Sequence, residues 1–343
     1  MAIDLNILCE AVQQHVDEMF AEGENPELLQ EDNGLLLAIT SPENTGAVSV
    51  IPLSENGAIT KKGKVIVTHR QRPDVVSDTI PACFPDNLEV PAPVLAQEYT
   101  LDDYVNVGFE MGLDEWREMC RGSNPYRQFA LYMMQYTNAA VERMNQKEWA
   151  KVALNFGNYY GGVDSGASPI ALSLLQGSPE AVNASGYYDM ENAMADIGAS
   201  RYMSVGTGKF RKALQLLEIG CCNDGGIDLS QIGANMFYQD RYTSTALSTD
   251  RFIAFQPGSI IIPNFGFNVG EYQLENSLHR KITMQHPRTG LIFDIDIKID
   301  ANCNKVLTWV RKTYTTIYTR TGLFGSNDPM EDVNGVLQFN AGT

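Results

Sequence analysis

Basic residues are scarce in this sequence. Its 343 residues include 25 lysines and arginines against 42 aspartates and glutamates, which gives a formal net charge of −17. A domain that binds nucleic acid needs a basic face that displaces counterions from the phosphates. The composition therefore argues against nucleic-acid binding as the main role and predicts an acidic surface.

Long apolar runs are also missing. No stretch approaches the roughly 18 apolar residues of a membrane span. The start, MAIDLNILCE, lacks the basic region and apolar core of a secretory signal. We therefore expect no membrane association and no secretion.

The cysteines do not form a recognisable framework. No Cys-x-x-Cys pair occurs, which predicts free thiols in a reducing cytosol, and the adjacent pair Cys221 and Cys222 is expected to be buried and inert. The six are Cys9, Cys83, Cys120, Cys221, Cys222 and Cys303.

Motifs for phosphate and calcium binding are incomplete. Residues 204–210, SVGTGKF, resemble a phosphate loop, but Met203 stands where the first glycine is required. Phe210 stands where a hydroxyl would hold magnesium. Residues 294–300, DIDIKID, have the spaced acids of a calcium loop, but Ile299 replaces the obligatory glycine, and the alternation predicts a strand with a solvated acidic face.

Signals for catalysis and zinc binding are equally weak. No two histidines have the i, i+4 spacing of a helical zinc pair; the four are His15, His69, His279 and His286. The serine of GVDSG, residues 162–166, is displaced by one position from the nucleophile of G-x-S-x-G. We predict a protein that is not an enzyme, with no catalytic residue, metal site or cofactor, although a pair of carboxylates would leave no motif.

The most prominent pattern that is present is a long helix over residues 125–156. Ser123 or Asn124 supplies an N-cap, Pro125 suits the first turn, and Gly157 ends the pattern. At 1.5 Å per residue the helix would be roughly 48 Å long. It is either a helix that spans a core or the spine of a flat, extended subunit. Its apolar stripe comprises Phe129, Met133, Tyr136, Ala140, Met144, Trp149, Val152, Ala153 and Phe156.

Other helices are predicted on both sides of this one. Periodic apolar residues predict helices over residues 4–21 and 101–120, and a glycine-broken helical region over 187–218. The length of 343 residues exceeds the usual single core of about 250–300, so two lobes are expected. Four glycines follow the long helix, which favours a boundary near Gly161.

Strands dominate the last third of the chain. Residues 252–267 are strand-like with a Pro-Gly turn in their middle. LIFDIDIKID and KVLTWVRKTYTTIYT, which surround an Asn-Cys-Asn turn, predict antiparallel strands with one buried and one solvent-exposed face.

Residues 46–72 predict a basic β-hairpin, with Asn56-Gly57 and Gly63 supplying turns. Its basic residues either decorate a solvated loop or lie on an acidic surface of a neighbouring copy, where opposite charges would set the register of assembly. These candidate contact residues are Lys61, Lys62, Lys64, Arg70 and Arg72.

The order of these elements resembles that of the major capsid proteins of tailed bacteriophages, which have the HK97 fold. The resemblance implies an α+β fold with a long spine helix, an extended β-hairpin arm, an antiparallel sheet and a second, axial domain. It also implies a division into an N-terminal arm, an extended loop, a peripheral domain and an axial domain. The corresponding ranges are 1–45; 46–72; 73–160 with 280–320; and 161–279 with 321–343.

The function implied by this resemblance is self-assembly into an icosahedral shell around viral DNA, without sequence-specific contact with the DNA. The expected partners are identical subunits and minor capsid or decoration proteins. The expected location is the virion, with assembly in the host cytoplasm. Encapsulin shells fit the layout equally well. A tail-tube or other virion subunit, and an acidic cytosolic hydrolase, remain open as alternatives.

Overall fold

The chain has an α+β fold, as predicted. The computed structural model describes residues 14–19, 21, 33–46, 49–52, 54–55, 58–59, 64–70, 94–112, 114–115, 118, 125–159, 163–172, 174–176, 181–182, 184–199, 201–211, 236–266, 279–300, 302–318 and 335–342. The helices with described bounds are α1 (Gly34–Thr40), α2 (Pro42–Thr45), α3 (Pro125–Val152), α4 (Ala184–Asp196) and α5 (Thr243–Ala246). Residues 14–19 and 208–211 are also helical.

The strands come from most of the chain. The first ten are β1 (Ser49–Pro52), β2 (Ser54–Glu55), β3 (Ala58–Ile59), β4 (Lys64–Arg70), β5 (Val94–Thr100), β6 (Asp103–Gly112), β7 (Asn158–Tyr159), β8 (Val163–Asp164), β9 (Ile170–Ala171) and β10 (Leu175–Gln176). The others are β11 (Ala181–Val182), β12 (Met203–Gly206), β13 (Met236–Gln239), β14 (Arg251–Phe255), β15 (Ile260–Ile261), β16 (His279–Gln285), β17 (Ile292–Asp300), β18 (Lys305–Tyr314), β19 (Ile317–Tyr318) and β20 (Val336–Asn340).

A four-stranded antiparallel sheet forms the first half of the core, in the order β16-β17-β18-β6. The predicted Asn-Cys-Asn turn is present between β17 and β18, and a second turn joins β16 to β17. Gly290 (φ +67°) and Asn304 (φ +54°) occupy the left-handed region in them, which glycine and asparagine adopt most readily. The strand β6, which precedes α3 in the chain, thus pairs with strands that return about 200 residues later.

The long helix α3 packs on this sheet. It starts at Pro125, as predicted, and ends at Val152, a few residues before the predicted end at 156. Of its predicted apolar stripe, Tyr136, Ala153 and Phe156 are only partly buried. The other six are each at most 1% exposed: Phe129, Met133, Ala140, Met144, Trp149 and Val152. They share one hydrophobic core with Val105, Phe293, Ile295, Val306 and Val310 of the sheet.

A five-stranded mixed sheet, in the order β13-β12-β14-β20-β9, separates this core from a second one. Alternation along β14 divides its side chains between the two. Ile253 and Phe255 face the first core, whereas Phe252 and Ala254 face the second. The helix α4 covers the second core with Tyr187, Met190 and Met194.

Three sequence-based expectations are wrong. Residues 103–112 form strand β6, not part of a helix over 101–120, because Val105, Val107, Phe109 and Met111 alternate towards the core. The helical region at 187–218 breaks at a glycine as predicted, since α4 ends at Asp196, before Gly198 (φ +77°), but residues 203–206 form a strand and not a helix.

The third concerns the face of β17 that was expected to be solvated. Asp294 and Asp296 are only 8% and 7% exposed, and Asp296 pairs with Arg311 of β18 at 2.8 Å. The prediction that 294–300 is a strand and not a calcium loop is nevertheless confirmed. The Pro-Gly turn predicted within 252–267 is also present, with Gly258 at φ +86° between β14 and β15.

Several predictions fall outside the described residues. These are the N-cap at Ser123 or Asn124, the environment of Cys221 and Cys222, and residues 4–13 of the first predicted helix. Cys303 is a free, exposed thiol. The assignment of the two sheets to separate domains with a boundary near Gly161 stays a prediction.

Candidate assembly surface

The segment that carries the candidate contact residues forms a small antiparallel sheet in the order β1-β4-β5, beside a hairpin of β2 and β3. The central strand β4 pairs with β1 from Ser49↔Thr68 to Pro52↔Val65. On its other side it pairs with β5 over its full length. The predicted hairpin is therefore extended by a third strand, β5.

The two described basic residues of this segment lie at opposite ends of β4. Lys64 begins β4 opposite Thr100, and Arg70 ends it opposite Val94. At about 3.3 Å per residue their backbones are roughly 20 Å apart. Lys61, Lys62 and Arg72 lie outside the described residues, so their role as contact residues stays a prediction.

A small apolar cluster attaches this sheet to the rest of the subunit. Val65 at the start of β4 and Leu101 after β5 are buried with Ile261 and Ile317, which are paired between β15 and β19. Tyr99 packs against the same cluster, and burial raises the pKa of its phenol. The sheet is thus fixed at this end by side chains of its own chain.

A second surface, which the sequence did not predict, is the outer edge of β6. Among the described strands, β6 pairs with β18 alone, so its other edge presents backbone groups without a strand partner. Exposed aromatic residues border it: Tyr104 is 67% exposed and Tyr132 is 42% exposed. Phe109 of β6 stacks on Tyr136 of α3 with ring centroids 4.5 Å apart.

Carboxylates and lysines surround this edge. The Lys147 ammonium lies 5.5 Å from the Tyr104 ring centroid and donates a hydrogen bond to the Tyr104 carbonyl at 2.9 Å. Lys305 pairs with Glu110 at 2.7 Å. Five acidic side chains and three lysines lie on or next to β6 and its contacts: Asp102, Asp103, Glu110, Asp114 and Glu115, with Lys147, Lys151 and Lys305.

A partly buried ionic cluster holds the end of α3 against β6 and the turn after β18. Lys151 pairs with Asp103 and with the fully buried Glu148, at 3.1 Å from the latter. Thr316 donates to Glu148 and accepts from Lys151, both at 2.7 Å. Burial raises the pKa of Glu148, against the opposing effect of Lys151. Partial burial also acts to raise the pKa of Asp103, but the two lysines outweigh it and lower that pKa.

Two residues of the incomplete catalytic and metal-binding patterns, His286 and Ser165, make hydrogen bonds within the fold. His286 is 5% exposed and is held by Asn138, with 2.7 Å between Nε2 and Oδ1. Ser165 donates to the Gly157 carbonyl at 2.7 Å. Within the described ranges, no three His, Cys, Asp or Glu side chains form a group that could hold a metal ion. Nor does any helix in those ranges have the length and hydropathy needed to cross a membrane.

Comparison with known proteins gives matches in structure only. No protein-family model and no curated protein matches the chain. Solved structures that are similar to it include the cyanophage A-1(L) capsid asymmetric unit, with a TM-score of 0.48 and 11% identity over 83% of this chain and 89% of that one.

Two further examples come from other phage capsids. The mature capsid of bacteriophage PhiM1 gives a TM-score of 0.41 and 8% identity over 81% of each chain. The capsid of Ralstonia phage GP4 gives 0.38 and 13% identity over 82% of this chain and 83% of that one. These three structures are of phage capsids.

Proposed function

We propose that this protein is the major capsid protein of a tailed phage and that its copies assemble into an icosahedral shell around viral DNA. In this proposal α3 is the spine helix, the sheet with β6 and β16–β18 belongs to the peripheral domain, and the sheet with β12–β14 and β20 belongs to the axial domain. The protein acts as a structural component of the virion and not as an enzyme.

One observation carries the proposal. The chain leaves the core of α3 after Val152, builds a second sheet with its own hydrophobic core, and returns at His279 to complete the sheet under the helix. The resemblance drawn from the sequence required this return. The small sheet β1-β4-β5 and the free edge of β6 then supply surfaces that a neighbouring copy could cover.

We further propose that the basic segment 61–72 of one copy lies along the edge of β6 in the next. Charge favours this pairing, because the five carboxylates on or near β6 outnumber the three lysines there, which pair with Asp103 and Glu110, and the segment carries five basic residues. The exposed rings of Tyr104 and Tyr132 supply apolar area at the same edge. Obligate interfaces of this kind commonly bury about 2,000–5,000 Å² in total.

Negative-stain electron microscopy of the purified full-length protein tests the proposal. Closed shells of uniform diameter are the expected result. Rings or tubes would contradict the capsid proposal and favour a tail-tube subunit. A compact monomer, seen by light scattering at assembly concentrations, would favour the acidic hydrolase.

A further inference from the structure

The outer edge of β6 is capped near both ends by side chains of its own subunit. Nζ of Lys147 donates a hydrogen bond to the Tyr104 carbonyl at 2.9 Å, and Oε2 of Glu115 accepts one from the Gly112 amide at 3.0 Å. Because backbone groups alternate in direction along a strand, residues at even positions between the caps also point away from β18. Three residues with this orientation have no backbone partner on that side among the described residues: Asn106, Gly108 and Glu110. The edge is thus open to strand addition over residues 106–110.

Lys147 also fills a site for an ammonium group at one end of this edge. Its Nζ lies 3.5 Å from Oδ1 of Asp103 and 5.5 Å from the centroid of the Tyr104 ring, in addition to its bond with the Tyr104 carbonyl. A carboxylate, a carbonyl oxygen and the face of a tyrosine ring are each favourable partners for the ammonium group of a lysine. Asp103 and Tyr104 together therefore form a lysine-binding site on β6.

Lys147 is held in this site less firmly than the lysine one turn further along α3. The side chains of Lys147 and Asp103 are 33% and 28% exposed, and an ion pair of this exposure contributes little to stability. Lys151, by contrast, pairs with Asp103, with the fully buried Glu148 at 3.1 Å and with the Thr316 hydroxyl at 2.7 Å. The ammonium of Lys147 is therefore exchangeable, whereas Lys151 keeps α3 and β6 together.

We propose that the site formed by Asp103 and Tyr104 receives a lysine of the basic segment 61–72 of a neighbouring copy, and that Lys147 occupies this site in the free subunit. The inference rests on the proposed function. Lysines stand at three of the four positions from 61 to 64, so a shift of register by one residue still presents a lysine to the site. The incoming ammonium replaces that of Lys147, and the incoming backbone pairs with β6 over residues 106–110.

Lys147 is then an intramolecular competitor of assembly. Its ammonium has to leave Asp103 before a second copy associates, and the fraction of subunits in which the site is filled lowers the apparent affinity between copies. A charged side chain that covers an edge strand also protects it from uncontrolled pairing. Removal of the Lys147 ammonium should therefore favour assembly, whereas removal of a lysine that itself contacts the neighbour would oppose it.

The concentration at which the purified full-length protein forms shells, measured by light scattering, tests the proposal. Lys147→Met keeps an apolar side chain of similar length, and it should lower this concentration by about threefold or more while still giving closed shells. Lys298→Met, at an exposed lysine of β17, removes the same charge and should follow wild type. An unchanged or raised concentration for Lys147→Met would overturn the proposal. Lys147→Gln gives the same comparison if circular dichroism shows that the methionine variant does not fold.

A peptide makes a second test independent of shell formation. Fluorescein-labelled AITKKGKV, residues 58–65, is added to the protein below the concentration at which shells form, and its anisotropy is measured. The peptide should bind Lys147→Met more tightly than wild type and Tyr104→Ala more weakly. Equal binding to the three proteins would overturn the proposal. Binding in this order without any shells would support the lysine site and contradict the capsid function alone.

Discussion

Asn145 on the long helix donates a hydrogen bond from Nδ2 to Oδ2 of Asp240 at 2.8 Å, and both side chains are fully buried. The same Oδ2 accepts from the Leu35 amide at 2.9 Å, while Oδ1 of Asn145 accepts from the Leu36 amide at 3.2 Å. These amides belong to the first turn of α1, which has no partners for them within the helix. One carboxylate and one carboxamide thus join α3, α1 and the end of β13.

Asp240→Ala should destabilise the protein by about 3 kcal/mol, because it leaves buried donors without an acceptor. Urea unfolding followed by circular dichroism measures the change. Asp189→Ala, on the exposed side of α4, is the matched control and should stay within about 0.5 kcal/mol of wild type. Equal losses in the two variants would contradict the assigned role of Asp240.

Asn44 fills a similar position between α2 and the turn that follows β14. Its Nδ2 donates to the carbonyls of Ile39 (2.6 Å) and Ile260 (2.7 Å), and its Oδ1 accepts from the Gly258 amide at 2.8 Å. Asn44→Ala should therefore lower the free energy of unfolding by about 2–4 kcal/mol. Glu43→Ala, at the neighbouring exposed residue, is the control. A melting temperature that is lower for Glu43→Ala than for Asn44→Ala would refute this interpretation.

His286 should make stability depend on pH. Burial lowers its pKa to about 4, and the nearby charge of Arg288 acts in the same direction. The Thr289 amide donates to Nδ1 at 3.1 Å, so the neutral ring carries its proton on Nε2, which lies 2.7 Å from Oδ1 of Asn138. The unfolded chain takes up a proton near pH 6.5, where the folded one does not. Its contribution is therefore complete above pH 6.5 and is lost as the pH falls towards 4, by about 3 kcal/mol.

The measurement is urea unfolding at several pH values between 4 and 7 for wild type and His286→Gln. The variant should show a smaller decrease in this interval, and His279→Gln should follow wild type. Parallel curves for wild type and His286→Gln would show that this ring does not titrate as inferred.

Charge reversal in the basic segment tests the proposed contact between copies. The triple change of Lys61, Lys62 and Lys64 to glutamate should abolish shells while leaving the circular dichroism and melting of the subunit unchanged. The control carries the same change in net charge at exposed residues elsewhere: Arg201, Arg211 and Lys298. Normal shells from the first variant would contradict the proposed contact between copies. Loss of shells in both variants would show that net charge, and not this segment, controls assembly.

Tyr104 tests the other side of the same contact. Because it is 67% exposed, Tyr104→Ala should leave the free energy of unfolding within about 0.5 kcal/mol of wild type. It should nevertheless raise the concentration needed for assembly, as seen by light scattering. Tyr188→Ala, at a ring that is 51% exposed on α4, is the control; an equal effect of both changes would exclude a specific role for the edge of β6.

The elements with the strongest periodicity were predictable. After Pro125 the helix α3 contains no glycine or proline, and β17 alternates through most of its length, so local pattern and burial agree. The alternation of β6 was equally present in the sequence. It was missed because Asp103 to Gly112 also contains residues at helical spacing, and a short run does not distinguish the two periods.

The polar connections were not predictable. Asp240 and Asn145 are 95 positions apart, and Tyr104 and Lys147 are 43 apart, so no local motif marks either pair. Asp294 and Asp296 looked solvated because their strand alternates, yet the pattern gives no sign of the side chains that cover that face. Buried polar groups of this kind are fixed by tertiary packing, to which a single sequence gives little access.

Strand β5 ends at Thr100, and β6 begins at Asp103. Because only two residues separate β5 from β6, the small sheet around β4 is joined to β6 by a short connection and not by a long linker. A force applied to that sheet would pass along the backbone into β6, where ten residue pairs with β18 resist it in shear. Tension on this part of the subunit would thus be borne by the sheet beneath the long helix, and not by a hinge.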